Sequence, residues 1–182
     1  MKRLLTSVVM LAALAAVPAH AALKTGAKAP DFTAQASQAG KPFTFSLKAQ
    51  LKKGPVVLYF YPAAFTSGCN IEAHDFAEAT DQYKALGATV IGVSHDGIEQ
   101  LNKFSADTRY CSGKFPVAAD PTGAVIKSYD AVLPIKPEYA NRTSYVIAPN
   151  GTILYEYTAL DPTKHVENTM AALKAWKAKG KT

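Results

Sequence analysis

The sequence predicts an α/β fold in which a mixed central sheet carries helices on both faces, preceded by an N-terminal arm. Three observations carry this expectation. Residues 56–61 and 88–93 are short, continuous runs of β-branched, apolar and aromatic residues, the pattern of strands buried on both faces. Ile71, Phe76, Ala79 and Tyr83 recur at helical spacing after the first run. The order strand, helix, strand, helix, strand, hairpin, helix then calls for a sheet covered on both sides.

Taken in order, residues 23–46 form an irregular arm with short strands. Residues 56–61 form a buried strand closed by Pro62, which has no N–H to continue a ladder. A helix follows over residues 66–86, a strand over 88–93, a helix over about 98–107 and a strand over 115–119. A short helix starts after Pro121. Residues 144–147 and 153–157 flank Pro149-Asn150-Gly151 and make a hairpin, with Asn-Gly supplying positive φ angles for a tight turn. A final helix covers about 162–177. A thioredoxin-like sandwich with inserted segments satisfies this order.

The chain begins with Lys2 and Arg3, continues apolar from Leu4 to Val17 and reaches the small-x-small triplet Ala19, His20, Ala21. That is the pattern of a secretory signal peptide over residues 1–21, leaving residues 22–182 as one α/β domain, periplasmic or secreted. No other stretch approaches roughly 20 apolar residues, so no membrane anchor is expected. The formal net charge is +6, of which Lys2 and Arg3 supply two units. Lys174, Lys177, Lys179 and Lys181 read as a solvated helix end and tail, favourable to the helix dipole, with no pattern of nucleic-acid binding. Two cysteines, Cys69 and Cys111, in an exported protein suggest a structural disulfide unless their local context says otherwise.

For Cys69 it does. The stretch from Tyr61 to Glu72 connects the C-terminal end of a central strand to the start of a helix, where open α/β sheets place their sites. A cysteine in that first helical turn faces unpaired backbone N–H groups and the positive end of the dipole, which favour thiolate over thiol. Thr66 lies one turn earlier, placing its hydroxyl to bond the sulfur or a substrate oxygen, although a helix N-cap is the plainer role for it. Pro62 stiffens the loop and narrows the entrance. No metal-ligand spacing is present; His74, His95 and His165 look isolated, as surface or packing residues.

Together these residues form P-x-x-x-T-x-x-C, and with them the chain resembles the peroxiredoxins, the AhpC/TSA family. The resemblance extends through Ala29-Pro30-Asp31-Phe32, Gly92-Val93-Ser94-His95-Asp96, Phe115-Pro116 leading to Asp120, and the segment from Arg142 to Gly151. It is strongest to the Q-type or bacterioferritin-comigratory branch, whose four active-site positions match Pro62, Thr66, Cys69 and Arg142. Glu72 matches a recurrent acidic position, though a first-turn acidic residue also suits the helix dipole.

The resemblance implies a cofactor-free thiol peroxidase acting on hydrogen peroxide and organic hydroperoxides, as a monomer or homodimer. Cys69 is implied as the nucleophile that becomes a sulfenic acid, and a thioredoxin-like dithiol protein as the reductant. Ionising an ordinary cysteine near neutrality supplies only a few tens-fold in rate, about 2 kcal/mol. Most of the acceleration must therefore come from orienting the peroxide and stabilising the departing oxygen, the task implied for Thr66 and Arg142.

Many Q-type members carry a resolving cysteine at the position of His74; others resolve from the following helix region, and Cys111 lies somewhat late in it. Cys111 is accordingly a candidate resolving cysteine, with a buried inert thiol or a one-cysteine mechanism as the alternatives. A disulfide reductase would need C-x-x-C, and position 72 is Glu72; a copper-delivery module would need C-x-x-x-C, and position 73 is Ala73. A noncatalytic or disulfide-exchange module on the same fold is the alternative of another class.

Overall fold

A computed structural model describes residues 22–180, so the expected signal peptide lies outside the described residues. In chain order the elements are β1 Thr33–Gln38, β2 Lys41–Ser46, α1 Leu47–Leu51, β3 Val56–Phe60, α2 Ser67–Ala85 and β4 Thr89–Ser94. They continue with α3 Ile98–Ala106, β5 Val117–Ala119, α4 Ala124–Ser128, β6 Thr143–Ile147, β7 Ile153–Thr158, a 3-10 turn Pro162–Lys164 and α5 His165–Ala178. The strands form one seven-stranded sheet in the order β2-β1-β5-β4-β3-β6-β7. The pairs β3–β4 and β4–β5 are parallel and the others antiparallel.

The central strand β3 explains the two-sided cover. Its residues alternate with the pleat: Val57, Tyr59 and the following Tyr61 enter one apolar cluster, Val56, Leu58 and Phe60 the other. The first cluster takes Phe76 from α2, Leu101 and Phe104 from α3, and Met170 and Leu173 from α5. The second takes Phe32 and Phe45 from the N-terminal region, Leu47 from α1 and Ile126 from α4. Gly92 on β4 lets the Tyr59 ring lie against the sheet, since a Cβ there would sit 2.7 Å from the ring.

Several expectations are corrected. The arm is a regular hairpin that extends the sheet through β5, turning at Ala39 and Gly40, both at positive φ. Ala-Gly is a weak turn signal, which is why the segment reads as irregular. The β6–β7 loop has only Gly151 left-handed, and Gly151 N–H donates to Ala148 O at 2.8 Å. It is a three-residue loop, a type I turn closed by a left-handed glycine, and the register shifts between Val146 and Ile147. The last helix is split: Asp161 caps a 3-10 turn by accepting from Thr163 N–H, and α5 begins only at His165.

Within α2 the buried residues are Cys69, Glu72, Ala73, Phe76, Ala77, Ala79, Thr80 and Tyr83, whereas Ile71 is 45% exposed. Ile71 therefore does not belong to the apolar face that its spacing suggested. A carboxylate holds a core slot in the first turn, and its reason lies in the site.

Candidate active site

The loop after β3 is fastened from the neighbouring strand. Asp96 Oδ2 accepts from the Ala64 N–H and from the Ser94 hydroxyl, each at 2.7 Å, and Gln100 Nε2 donates to Asp96 Oδ1 at 2.8 Å. Half-buried Pro62 leads into this loop. Phe65 adopts φ +66°, a left-handed conformation that is costly for a residue with a Cβ. Its ring packs edge-on against Phe104 and Tyr110, at 5.2 and 5.9 Å between centroids, which offsets that cost.

Thr66 is the N-cap residue of α2 by backbone geometry, φ −90° and ψ 149°, yet its side chain caps nothing. Its hydroxyl donates to Ala63 O at 2.9 Å. The expected bond to sulfur is therefore not the one it makes. With its proton committed to the carbonyl, the oxygen presents lone pairs to anything bound at the loop surface, where Thr66 is exposed.

Cys69 follows in the first turn of α2, only 2% exposed. Arg142, immediately before β6 and itself 4% exposed, donates from Nη2 to Cys69 Sγ at 3.5 Å. Its Nε donates to Leu160 O at 2.9 Å, and Nη1 forms a short ion-pair contact with Glu72 Oε2. Gly68 makes room for this approach: a Cβ there would lie 3.0 Å from Arg142 Nη2. A side chain at position 68 would crowd the guanidinium, a closeness that only the folded geometry reveals.

Burial pushes the Glu72 carboxyl up to about 8, against the opposing pull of Arg142. Burial also opposes the Arg142 charge, but Glu72 and Cys69 outweigh it and hold the guanidinium above its ordinary value. Glu72 thus occupies its inward slot as the partner of Arg142. Its other oxygen, Oε1, is buried without a hydrogen bond and lies 3.6 Å from His165 Nδ1.

His165 is therefore not the isolated residue that the sequence suggested. It is fully buried, with Nδ1 2.8 Å from Ser144 Oγ and Nε2 2.9 Å from Ala159 O. A carbonyl only accepts, so Nε2 carries the proton and Nδ1 accepts from the serine hydroxyl. Burial lowers His165 to about 4, keeping the ring neutral. Three positions distant in sequence, 72, 144 and 165, converge here, and no local motif joins them.

Cys111 sits elsewhere in the same apolar cluster as Cys69, fully buried, in the turn between α3 and β5. Both cysteines are free. Burial raises the Cys111 thiol well above its ordinary value. Among the described residues no three His, Cys, Asp or Glu side chains gather as a metal site, and no helix is long and apolar enough to cross a membrane.

A family model described as AhpC/TSA matches residues 25–156. The chain belongs to the AhpC/TSA family. It is 31% identical over 153 residues to a chloroplastic peroxiredoxin Q of Sedum lineare, covering 84% of this chain and 78% of that one. It is 35% identical over 156 residues to the Arabidopsis thaliana peroxiredoxin Q, covering 85% and 69%. Among solved structures it is similar to the peroxidoxin BcpB of Mycobacterium tuberculosis, with TM-score 0.73, 31% identity and coverage of 84% and 97%. The reduced 2-Cys peroxiredoxin of Plasmodium vivax shares the fold, with TM-score 0.78 at 22% identity over 86% and 83% of the two chains. For this AhpC/TSA chain, the relatives of the Q and Bcp type agree with the branch that the cysteine loop resembles.

Proposed function

We propose that this thiol-dependent peroxidase reduces hydrogen peroxide and organic hydroperoxides through a sulfenic acid on Cys69, with Cys111 as the resolving thiol. The observation that carries the assignment is the Arg142 Nη2 donor 3.5 Å from the sulfur of a cysteine in the first turn of a helix. In the reaction the Cys69 thiolate attacks one peroxide oxygen along the O–O axis. The O–O bond breaks, its electron pair leaves on the distal oxygen, and that oxygen takes a proton to become water or an alcohol. Cys69 is left as a sulfenic acid.

Thr66 Oγ1, whose proton is held by Ala63 O, accepts the peroxide O–H, while Arg142 donates to the oxygens as charge builds on them. Two groups of opposite hydrogen-bonding sense set the direction of the peroxide, which is the larger contribution to rate. The Cys111 thiol then condenses with the sulfenic acid, releasing water and forming a disulfide, and a thioredoxin-type dithiol protein reduces the bridge by exchange. The leader-like pattern of residues 1–21 supports, as part of the proposal, a reaction in the periplasm or outside the cell.

The experiment is a mass-spectrometric map of both cysteines after one equivalent of peroxide. A Cys69–Cys111 bridge, preceded at short times by oxidation of Cys69 alone, is the expected result. Oxidation beginning at Cys111, or none at either residue, would overturn the assignment.

A further inference from the structure

Arg142 has two protein anchors besides the sulfur, and one of them leads by hydrogen bonds to a residue that no step above uses. The first is the Leu160 carbonyl, which accepts from Arg142 Nε at 2.9 Å. Leu160 belongs to the turn after β7, where Ala159 N–H donates to Arg142 O at 3.2 Å and Ala159 O accepts from His165 Nε2 at 2.9 Å. The second anchor is Glu72 through Oε2; its Oε1 lies 3.6 Å from His165 Nδ1 with no hydrogen bond between them, since Nδ1 accepts from Ser144 Oγ.

We propose that His165 is a positioning residue for the peroxide reaction, holding the 159–160 turn so that the Arg142 guanidinium stays aimed at Cys69. The inference rests on the peroxidase assignment of Cys69. His165 is suited to this by rigidity: it is fully buried at the first residue of α5, its ring stands edge-on to Tyr157 at 4.8 Å, and its carbonyl accepts from the Thr169 hydroxyl at 2.6 Å. A neutral ring presents a donor on one side and an acceptor on the other, which no apolar side chain of similar size does.

The tests are His165→Leu, which removes both polar arms, His165→Gln, whose amide reaches the Nε2 position toward Ala159 O, and His165→Asn, whose amide reaches only the Nδ1 position. Each is followed by single-turnover reaction of Cys69 with hydrogen peroxide, by alkylation with iodoacetamide, and by thermal unfolding. His165→Leu is expected to slow the peroxide reaction roughly 10- to 100-fold, the scale of a misplaced catalytic group, with alkylation much less affected. His165→Gln restores most of the rate, and His165→Asn stays about tenfold slower than His165→Gln.

In an Arg142→Ala background, His165→Leu has no further effect on the peroxide rate, because it acts through that arginine. Parallel losses of peroxide reactivity and alkylation, or an unchanged His165 effect without Arg142, would reduce His165 to packing and overturn the proposal. Should His165→Leu fail to fold, equal rates for the Gln and Asn variants would overturn it on their own. Failure of the wild-type Cys69 to react with peroxide faster than a free thiol is a separate result, and would instead refute the peroxidase assignment.

Discussion

The two cysteines share one apolar cluster and have opposite surroundings. Cys69 sits at the start of a helix beside a guanidinium, under a loop whose Phe65 and Thr66 are exposed to solvent. Cys111 is in a turn where burial, and after it the charge of Asp107, disfavours a thiolate, and the turn is locked by its own chain. Ser112 N–H donates to Asp107 O at 3.0 Å, the Ser112 hydroxyl to Thr108 O at 2.7 Å, and Gly113 N–H to Ser105 O at 2.8 Å. Burial alone therefore does not set the two sulfurs apart: one lies beside a guanidinium donor, and the other has none among the described residues. One consequence is that the Cys111 turn must open for the disulfide to form, since a buried neutral thiol is a poor nucleophile.

Exchange of each sulfur for oxygen separates the two environments most strongly. Cys69→Ser should lose at least ~10⁴-fold in peroxide turnover with the fold intact, measured by peroxide consumption and circular dichroism. Retained turnover would move the chemistry away from Cys69.

Removing the electrostatic lining comes next. Arg142→Ala should slow single-turnover reaction with peroxide by about 10³-fold, and Thr66→Val, which keeps the side-chain volume, by about 10²-fold. Arg142→Ala should also destabilise the fold by roughly 1–3 kcal/mol, because it leaves the buried Glu72 carboxyl without its donor. Stopped-flow kinetics and denaturant titration check the two effects separately.

Cys111→Ser tests the other environment. The first reaction of Cys69 should stay within roughly twofold of wild type, since no hydrogen bond joins the two sites among the described residues, whereas steady turnover with a dithiol stops and Cys69 proceeds to sulfinic acid. Normal steady turnover of this variant would make the enzyme a one-cysteine peroxidase.

The smallest expected effect is on stability against pH. Glu72 is raised from 4.5 to about 8 in the folded chain, so the folded state binds its proton more tightly and that contribution is lost as pH rises from about 4.5 to 8. His165 is lowered from 6.5 to about 4, so the unfolded state binds its proton more tightly and that contribution is lost as pH falls from about 6.5 to 4. Their combined contribution is level between about pH 4.5 and 6.5 and falls on both sides. Glu72→Gln should flatten the alkaline fall in a series of denaturant titrations, and an unchanged slope would place the titration elsewhere.

Much of the fold is legible because its signals are local. A β-branched run closed by Pro62, the repeat that places Phe76, Ala79 and Tyr83 within α2, and Gly151 closing the β6–β7 loop each describe a few neighbouring residues. The N-terminal hairpin is missed because Ala39-Gly40 is a weak turn signal and its pairing partner β5 comes about 80 residues later. Ile71 is misplaced for a related reason: Glu72 takes the core slot, and a periodicity count gives a carboxylate no reason to be inside.

The sequence by itself singled out Cys69, its loop, Thr66 and Arg142 as one candidate site, and determined the mixed sheet beneath them. These are matters of residue type and short spacing. Only the tertiary structure decided that the Thr66 hydroxyl turns to Ala63 O, that Gly68 lies close under the Arg142 guanidinium, and that Glu72, Ser144 and His165 meet behind Arg142. The physical reason is that each depends on where separate elements of the packed sheet and helices come to rest. A buried charge or an orphan oxygen acquires its meaning only from the distant side chains that packing brings within a few ångströms.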